Sequence, residues 1–293
     1  YDPQARKFVL IDVCFGTHHL QFAEDDDHSL YFSGGGQVVG WINTKMYDET
    51  GDERVSQGWC PTVLDTNGDG KITKPWNEPV GGGRSTDEGG GGGRIGTLDP
   101  ALDTRVNVGS YGLVVNPVDD SVWIASTQFP GRILRFVPGD KPPETCISEL
   151  YEVPSELQEG IDHAESGFGP RGIDIDRNGV IWTALSGSSH FASFDRRKCK
   201  VRNGPDAMGR HCNEGWRLYP TRGPTLKGTP HRADYHYYNW VDQWNTLGLG
   251  ENIPIAAGSN SDALLALGPE TGEWIVLRVP YPLGFYTRGL DGR

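Results

Sequence analysis

Cysteine, methionine and positive charge are all scarce: 5 Cys and 2 Met occur in 293 residues, and 27 Lys plus Arg stand against 39 Asp plus Glu. Five cysteines are too few to build a disulfide scaffold, and a chain of this size buries a substantial core without one. A formal charge of −12 argues against nucleic acid as a partner, because tracking phosphates needs clustered Lys and Arg. No run approaches 18 consecutive apolar residues, which excludes a membrane-spanning helix. The opening YDPQARKFVLID lacks an initiator Met, a charged leader and the apolar core of a signal peptide, so localisation must be inferred indirectly. Motifs of the type G-x-S-x-G, H-E-x-x-H and C-x-x-C-H are missing too, and with them support for a hydrolase or a haem protein.

What the chain has in abundance is 41 Gly, 20 Pro, 9 Trp, 11 Tyr and 10 Phe, which describes short strands and tight turns better than long helices. Three segments share one plan: THHLQFAEDDDHSLYFSGGGQVVGWI from Thr17, SYGLVVNPVDDSVWIASTQFPGRILRF from Ser110 and PRGIDIDRNGVIWTALSGSSHFASF from Pro170. Each runs from a short strand through an Asp-rich turn to an aromatic that opens a second strand, then to a third. His18 to Tyr31, Tyr111 to Trp123 and Arg171 to Trp182 span 13, 12 and 11 residues. An antiparallel meander of this kind has two exposed edges and two faces, so it gains stability by stacking on copies of itself, the logic of a β-propeller. DALLAL from Asp262 and EWIVLRV from Glu273 fit the third and fourth strands of a further copy. Thr287-Arg288-Gly289-Leu290 then repeats Pro170-Arg171-Gly172-Ile173 and opens a blade that the sequence does not finish.

The pattern P-x-G-I, D-x-x-G-x-I/V-W and G-x-I-x-R-F resembles the virginiamycin B lyase, or streptogramin lyase, family, closest to its large uncharacterised bacterial members. The resemblance implies an all-β fold, an incomplete portion of a seven-bladed propeller built from four-stranded antiparallel blades, and a periplasmic or secreted location. It also implies a reaction, ring-opening elimination in a cyclic ester by a general-base His and a divalent cation in the channel. The family's blades often carry an acid three residues after the Trp, whereas this chain has Gly34, Ser126 and Leu185 there.

Residues 1–293 are read as one propeller portion with two long insertions, at about 43–105 and 199–260. The first contains Asp65-Thr66-Asn67-Gly68-Asp69-Gly70-Lys71-Ile72, the D-x-N-x-D-G-x-I pattern of a calcium loop. Asp65, Asn67, Asp69 and the Lys71 carbonyl would be the ligands of a structural ion. Position 12 is Trp76 in place of Glu, and an Asx-rich solvent turn is the alternative. GGGRSTDEGGGGGR, residues 81–94, reads as a mobile surface loop and, with no strand before it and no Lys-Ser/Thr helix after it, not as a nucleotide site. In the second insertion Cys199 and Cys212 are either a disulfide or two thiols. There His231, Asp234 and His236 are candidate metal ligands, with a cap on the blade edge as the alternative. Trp240, Val241, Trp244 and Leu247 have the spacing of a helix packing inward.

Aligning the repeats puts His18, Tyr111, Arg171 and Arg288 at one equivalent position. A structural position tends to repeat one residue type, so four different polar side chains point to a lined pocket at the channel mouth. His18 is the candidate base, and Tyr111, Arg171 and Arg288 are the ligand-binding residues, with the guanidiniums favouring anionic groups. Three functions follow: an exported ligand-recognition or assembly propeller that binds a small anionic or carbonyl-bearing ligand or another protein; a metal-dependent lyase or lactonase-like enzyme; and a different metal enzyme completed by the remainder of the same polypeptide.

Overall fold

Three aspartate turns start the blades. Asp25 Oδ1 accepts the Ser29 N–H at 2.8 Å, Asp119 Oδ1 the Ser121 N–H at 3.2 Å, and Asp176 Oδ1 the N–H groups of Asn178 and Val180 at 2.8 and 3.0 Å. Each reversal folds the first strand of its repeat against the second. The computed structural model describes residues 1–34, 37–76, 78–80, 84–85, 97–156, 158–160 and 166–292; most of the Gly-rich stretch 81–94 lies outside them.

Blade 1 consists of β1 (His19–Phe22), β2 (Ser29–Ser33), β3 (Val38–Asn43) and, after helix α1 (Thr44–Thr50), β4 (Gln57–Pro61), ordered β1-β2-β3-β4. Beyond it come β5 (Val63–Asp65), the small ribbon of β6 (Pro79–Val80) and β7 (Arg84–Ser85), and β8 (Asp103–Arg105). Blade 2 contains β9 (Ser110–Val115), β10 (Val122–Ser126), β11 (Arg132–Val137) and β12 (Ile147–Glu152). Its outer edge is covered by β5, parallel to β12, and then by β8, so it does not stand open to other chains.

Blade 3 contains β13 (Pro170–Ile175), β14 (Ile181–Leu185) and β15 (His190–Phe194); β16 (Met208–Gly209) crosses to pair with β12, and β17 (Trp216–Pro220) completes the blade. Blade 4 contains β18 (Asn239–Asp242), β19 (Ile253–Gly258), β20 (Ala263–Leu267) and β21 (Trp274–Arg278). The fold is therefore a nearly all-β propeller of four four-stranded antiparallel blades. Among the described residues no helix is long and apolar enough to cross a membrane.

Two sequence expectations are corrected here. The stretch 43–105 is not wholly an insertion, because it supplies β4. Likewise 199–260 supplies β17, β18 and β19. Trp240 and Val241 lie on β18 rather than on a helix, and Trp244 is 59% exposed. Val241 donates its N–H to Asp174 Oδ2 at 2.7 Å, a tie between inner strands that outweighs the helical spacing. Gln21 does the same between blades 1 and 2, its Oε1 accepting the Val115 N–H at 3.3 Å.

Aromatic and branched side chains fill the layers between sheets. Trp123 stacks on Tyr151 at 5.9 Å and Tyr151 meets Phe194 at 4.5 Å, carrying one core from blade 2 into blade 3. Two disulfides brace the blades: Cys60 on β4 bonds to Cys146 beside β12, and Cys199 bonds to Cys212.

Candidate functional site

The inner strands β1, β9, β13 and β18 carry the repeat register into space. The aromatics Tyr31, Trp123 and Trp182 sit opposite Gln21, Val114 and Asp174, each three residues after His18, Tyr111 and Arg171. The glycine that follows in blades 2 and 3 is required by close approach. A Cβ on Gly112 would lie 2.5 Å from the Arg171 carbonyl oxygen, and one on Gly172 would lie 2.6 Å from the Tyr238 Cα. The inner strands thus converge at the level of these residues.

All four aligned residues meet in one cluster. The Arg171 guanidinium carbon lies 4.4 Å from the ring centres of both Tyr111 and Tyr237, within cation–π range. Tyr111 Oη donates to Tyr237 Oη at 2.7 Å, and Arg171 Nη2 donates to the same oxygen at 3.3 Å. The Arg288 guanidinium is 5.9 Å from the Tyr237 ring. His18 packs against Tyr111 at 5.1 Å, and His19 bridges Tyr111 at 4.5 Å and Tyr238 at 5.4 Å, bringing blade 1 against blade 4. The sequence alignment missed Tyr237, His19 and Tyr238. A signal existed for Tyr238, which lies three residues before Val241, the residue opposite Pro254, as Arg171 lies three before Asp174.

Two polar atoms in the cluster, Arg171 Nε and His19 Nε2, are buried without a hydrogen-bond partner among the described residues. Nor does Arg171 enter any ion pair found among those residues. The cations act on their neighbours. Burial, His18 and Arg171 together lower the His19 imidazole to about 4, so that it is neutral near pH 7. The hydrogen bond from Tyr111, with Arg171 and Arg288, lowers the ionisation of Tyr237, while burial and the bond to Tyr237 raise that of Tyr111. Beside this cluster a cavity of about 470 Å³ is lined by His19, Leu113, Tyr238 and the acids Glu24, Asp174 and Asp291, among others.

The cluster around Arg171 does not fit a divalent cation, since among the described residues it presents two guanidiniums, phenols and imidazoles, while the acids Glu24, Asp174 and Asp291 lie along the adjoining cavity. Among the described residues no three His, Cys, Asp or Glu side chains are grouped to hold a metal. In the pair Asp234 and His236 the coordinating atoms are engaged structurally. His236 contacts the Ala257 carbonyl at 2.9 Å and Thr221 Oγ1 at 2.8 Å, and Asp234 accepts from Asn260 and Ser261 at 2.9 and 2.7 Å. His231 lies apart on the exposed surface.

The calcium-like loop folds around Asp65, which is 1% exposed. Its carboxylate accepts the N–H groups of Gly68, Asp69 and Gly70 at 2.8, 3.1 and 2.7 Å, and Asn203 Nδ2 at 2.8 Å. Asn67 and Asp69 are exposed, and Asp69 Oδ1 accepts the Lys71 N–H at 2.9 Å. Asp103, opposite Asp65 across β5 and β8, reaches the loop at Thr73 with Oδ2, while its buried Oδ1 has no partner among the described residues.

In fold the chain is similar to selenomethionine-substituted virginiamycin B lyase from Staphylococcus aureus, at 13% identity and TM-score 0.47, with 92% of this chain covering 58% of that one. A catalytically inactive form of that lyase with quinupristin gives 13%, 0.48, 93% and 59% for the same quantities. An auxiliary nutrient binding protein from Bacteroides thetaiotaomicron gives 13%, 0.37, 94% and 61%. The chain thus spans about three-fifths of the length of each. No protein-family model and no curated protein sequence matches it. The resemblance to the streptogramin lyases holds as a likeness of fold, and at such identities neither reaction nor ligand passes with it.

Proposed function

We propose that this propeller is a ligand-recognition protein that binds a small anionic or carbonyl-bearing molecule at the channel mouth. The observation that carries the reading is Arg171, clamped between Tyr111 and Tyr237 and, among the described residues, with no carboxylate partner and with Nε unpaired. In a protein of net charge −12, a fixed guanidinium usually finds an acid of its own, and one held by aromatic faces instead is preorganised for an external acceptor. Acetate and its neutral isostere acetamide separate the two ligand types in an NMR-monitored titration. Arg171→Ala removes a charge-assisted bond of roughly 1.5–3 kcal/mol and is expected to weaken acetate binding about tenfold or more. Unchanged affinity in that variant would exclude Arg171 as the recognition group.

An exported location is part of the same reading, supported by the two disulfides, which persist in oxidising compartments. The loop at Asp65 is proposed as a calcium site formed by Asp65, Asn67, Asp69 and the Lys71 carbonyl. The support is the D-x-N-x-D-G-x-I spacing. Calorimetric titration of chelator-treated protein should register calcium binding that disappears in Asp69→Ala, a change at an exposed position. Equal heats in both proteins would leave the loop as a solvent turn.

A further inference from the structure

Among the described residues the hydroxyl hydrogen of Tyr237 has no acceptor. Its oxygen already receives hydrogens from Tyr111 Oη at 2.7 Å and Arg171 Nη2 at 3.3 Å, which occupies both lone pairs of a phenol. Among the described residues nothing accepts from its own O–H. A second donor in the same cluster, Arg171 Nε, is buried and likewise has no partner among the described residues. Two idle donors beside two guanidiniums suit one kind of group, an oxyanion such as a carboxylate.

We propose that Tyr237 donates its hydroxyl hydrogen to the bound anion, so that the ligand is held only while Tyr237 is protonated. The inference rests on the anion-site reading and adds to it a residue and a proton. The groups facing Tyr237 are Tyr111 on β9, Arg171 on β13, Tyr235 on its own segment at 5.8 Å, and Tyr286 and Arg288 on the C-terminal segment at 5.6 and 5.9 Å. Among the described residues no carboxylate is in ring or hydrogen-bond contact with Tyr237. The Tyr111 hydrogen bond and the two guanidiniums favour loss of the Tyr237 proton, which places its ionisation below the ordinary phenol value. Ionisation would remove a donor and set a negative charge against the ligand. Anion affinity therefore falls as pH rises through that ionisation, and a bound anion raises the ionisation by the same factor.

Tyrosinate absorbance and acetate binding, measured on the same protein across alkaline pH, test this. One of the 11 tyrosines should ionise ahead of the rest; Tyr237→Phe should abolish that early phase and weaken acetate binding about tenfold. Tyr111→Phe should move the early phase upward without removing it, an effect that packing alone does not give. Acetate should move it upward in the wild type and leave Arg171→Ala unaffected. Tyrosines ionising as one group, or an early phase surviving in Tyr237→Phe, would overturn the assignment. Acetate binding that stays flat with pH would also overturn it while leaving the anion site intact. An early Tyr237 phase with no acetate binding at all would instead remove the anion site, and the proton linkage with it.

Discussion

Replacing both Cys60 and Cys146 by alanine is expected to lower the free energy of unfolding by about 4–5 kcal/mol, because a bridge across a long loop restricts the unfolded chain most. The two residues are 86 apart in sequence, whereas Cys199 and Cys212 are 13 apart, for which the same chain-entropy relation gives about 3 kcal/mol. The long bridge also joins β4 of blade 1 to the entrance of β12 in blade 2, so its loss releases one blade from the next. Urea unfolding of the double variant and of Cys199→Ala/Cys212→Ala checks both magnitude and order. A smaller shift for the long bridge than for the short one would show that the unfolded chain keeps blades 1 and 2 together without it.

Glu149→Ala should cost about 3 kcal/mol, the low end of what breaking a buried ion pair costs. Glu149 is 6% exposed and lies across from Arg135 in the ladder of β11 and β12. Its carboxylate accepts from Arg135 Nη1 at 3.1 Å, from Arg196 Nε and Nη2 at 2.5 Å each, and from Tyr151 Oη at 2.6 Å. Removing it strands two guanidiniums, but Arg135 keeps Asp119 at 2.8 Å and Arg196 is partly exposed, which limits the loss. The exposed pair Lys74–Glu78 is the control, and Glu78→Gln should shift stability by less than about 1 kcal/mol. Equal effects from the two substitutions would mean that the Glu149 network contributes no more than a solvated pair.

The propeller was legible where sequence and backbone shared a rhythm. The Asp-turn-aromatic unit repeats three times, and its register put His18, Tyr111 and Arg171 at one level, as the strand pairing does. Arg288 could be placed beside them because Arg-Gly-Leu-Asp repeats Arg-Gly-Ile-Asp. What stayed hidden was built from atypical strands. On β18 the polar Asn239 and Asp242 are buried, so hydrophobic alternation gives no sign of a strand, and the tryptophans at 240 and 244 imitate a helix. Tyr237 and Tyr238 were lost with that strand. The Cys60–Cys146 bridge was hidden for a related reason, since β4 lies in a stretch whose length suggested an insertion, and partners 86 residues apart cannot be paired from spacing. The Glu149 network joins β11, β12 and the turn after β15 that carries Arg196, through contacts that only the stacking of blades creates.

The central claim, that Arg171 and Tyr237 form an anion receptor at the channel mouth, is tested most directly by crystals soaked in 4-bromobenzoate, whose bromine can be located by anomalous scattering. The account predicts the carboxylate within hydrogen-bond distance of Arg171 Nε and Tyr237 Oη, with the ring directed into the adjoining cavity. A carboxylate bound elsewhere, with the space beside Arg171 holding none, would contradict it.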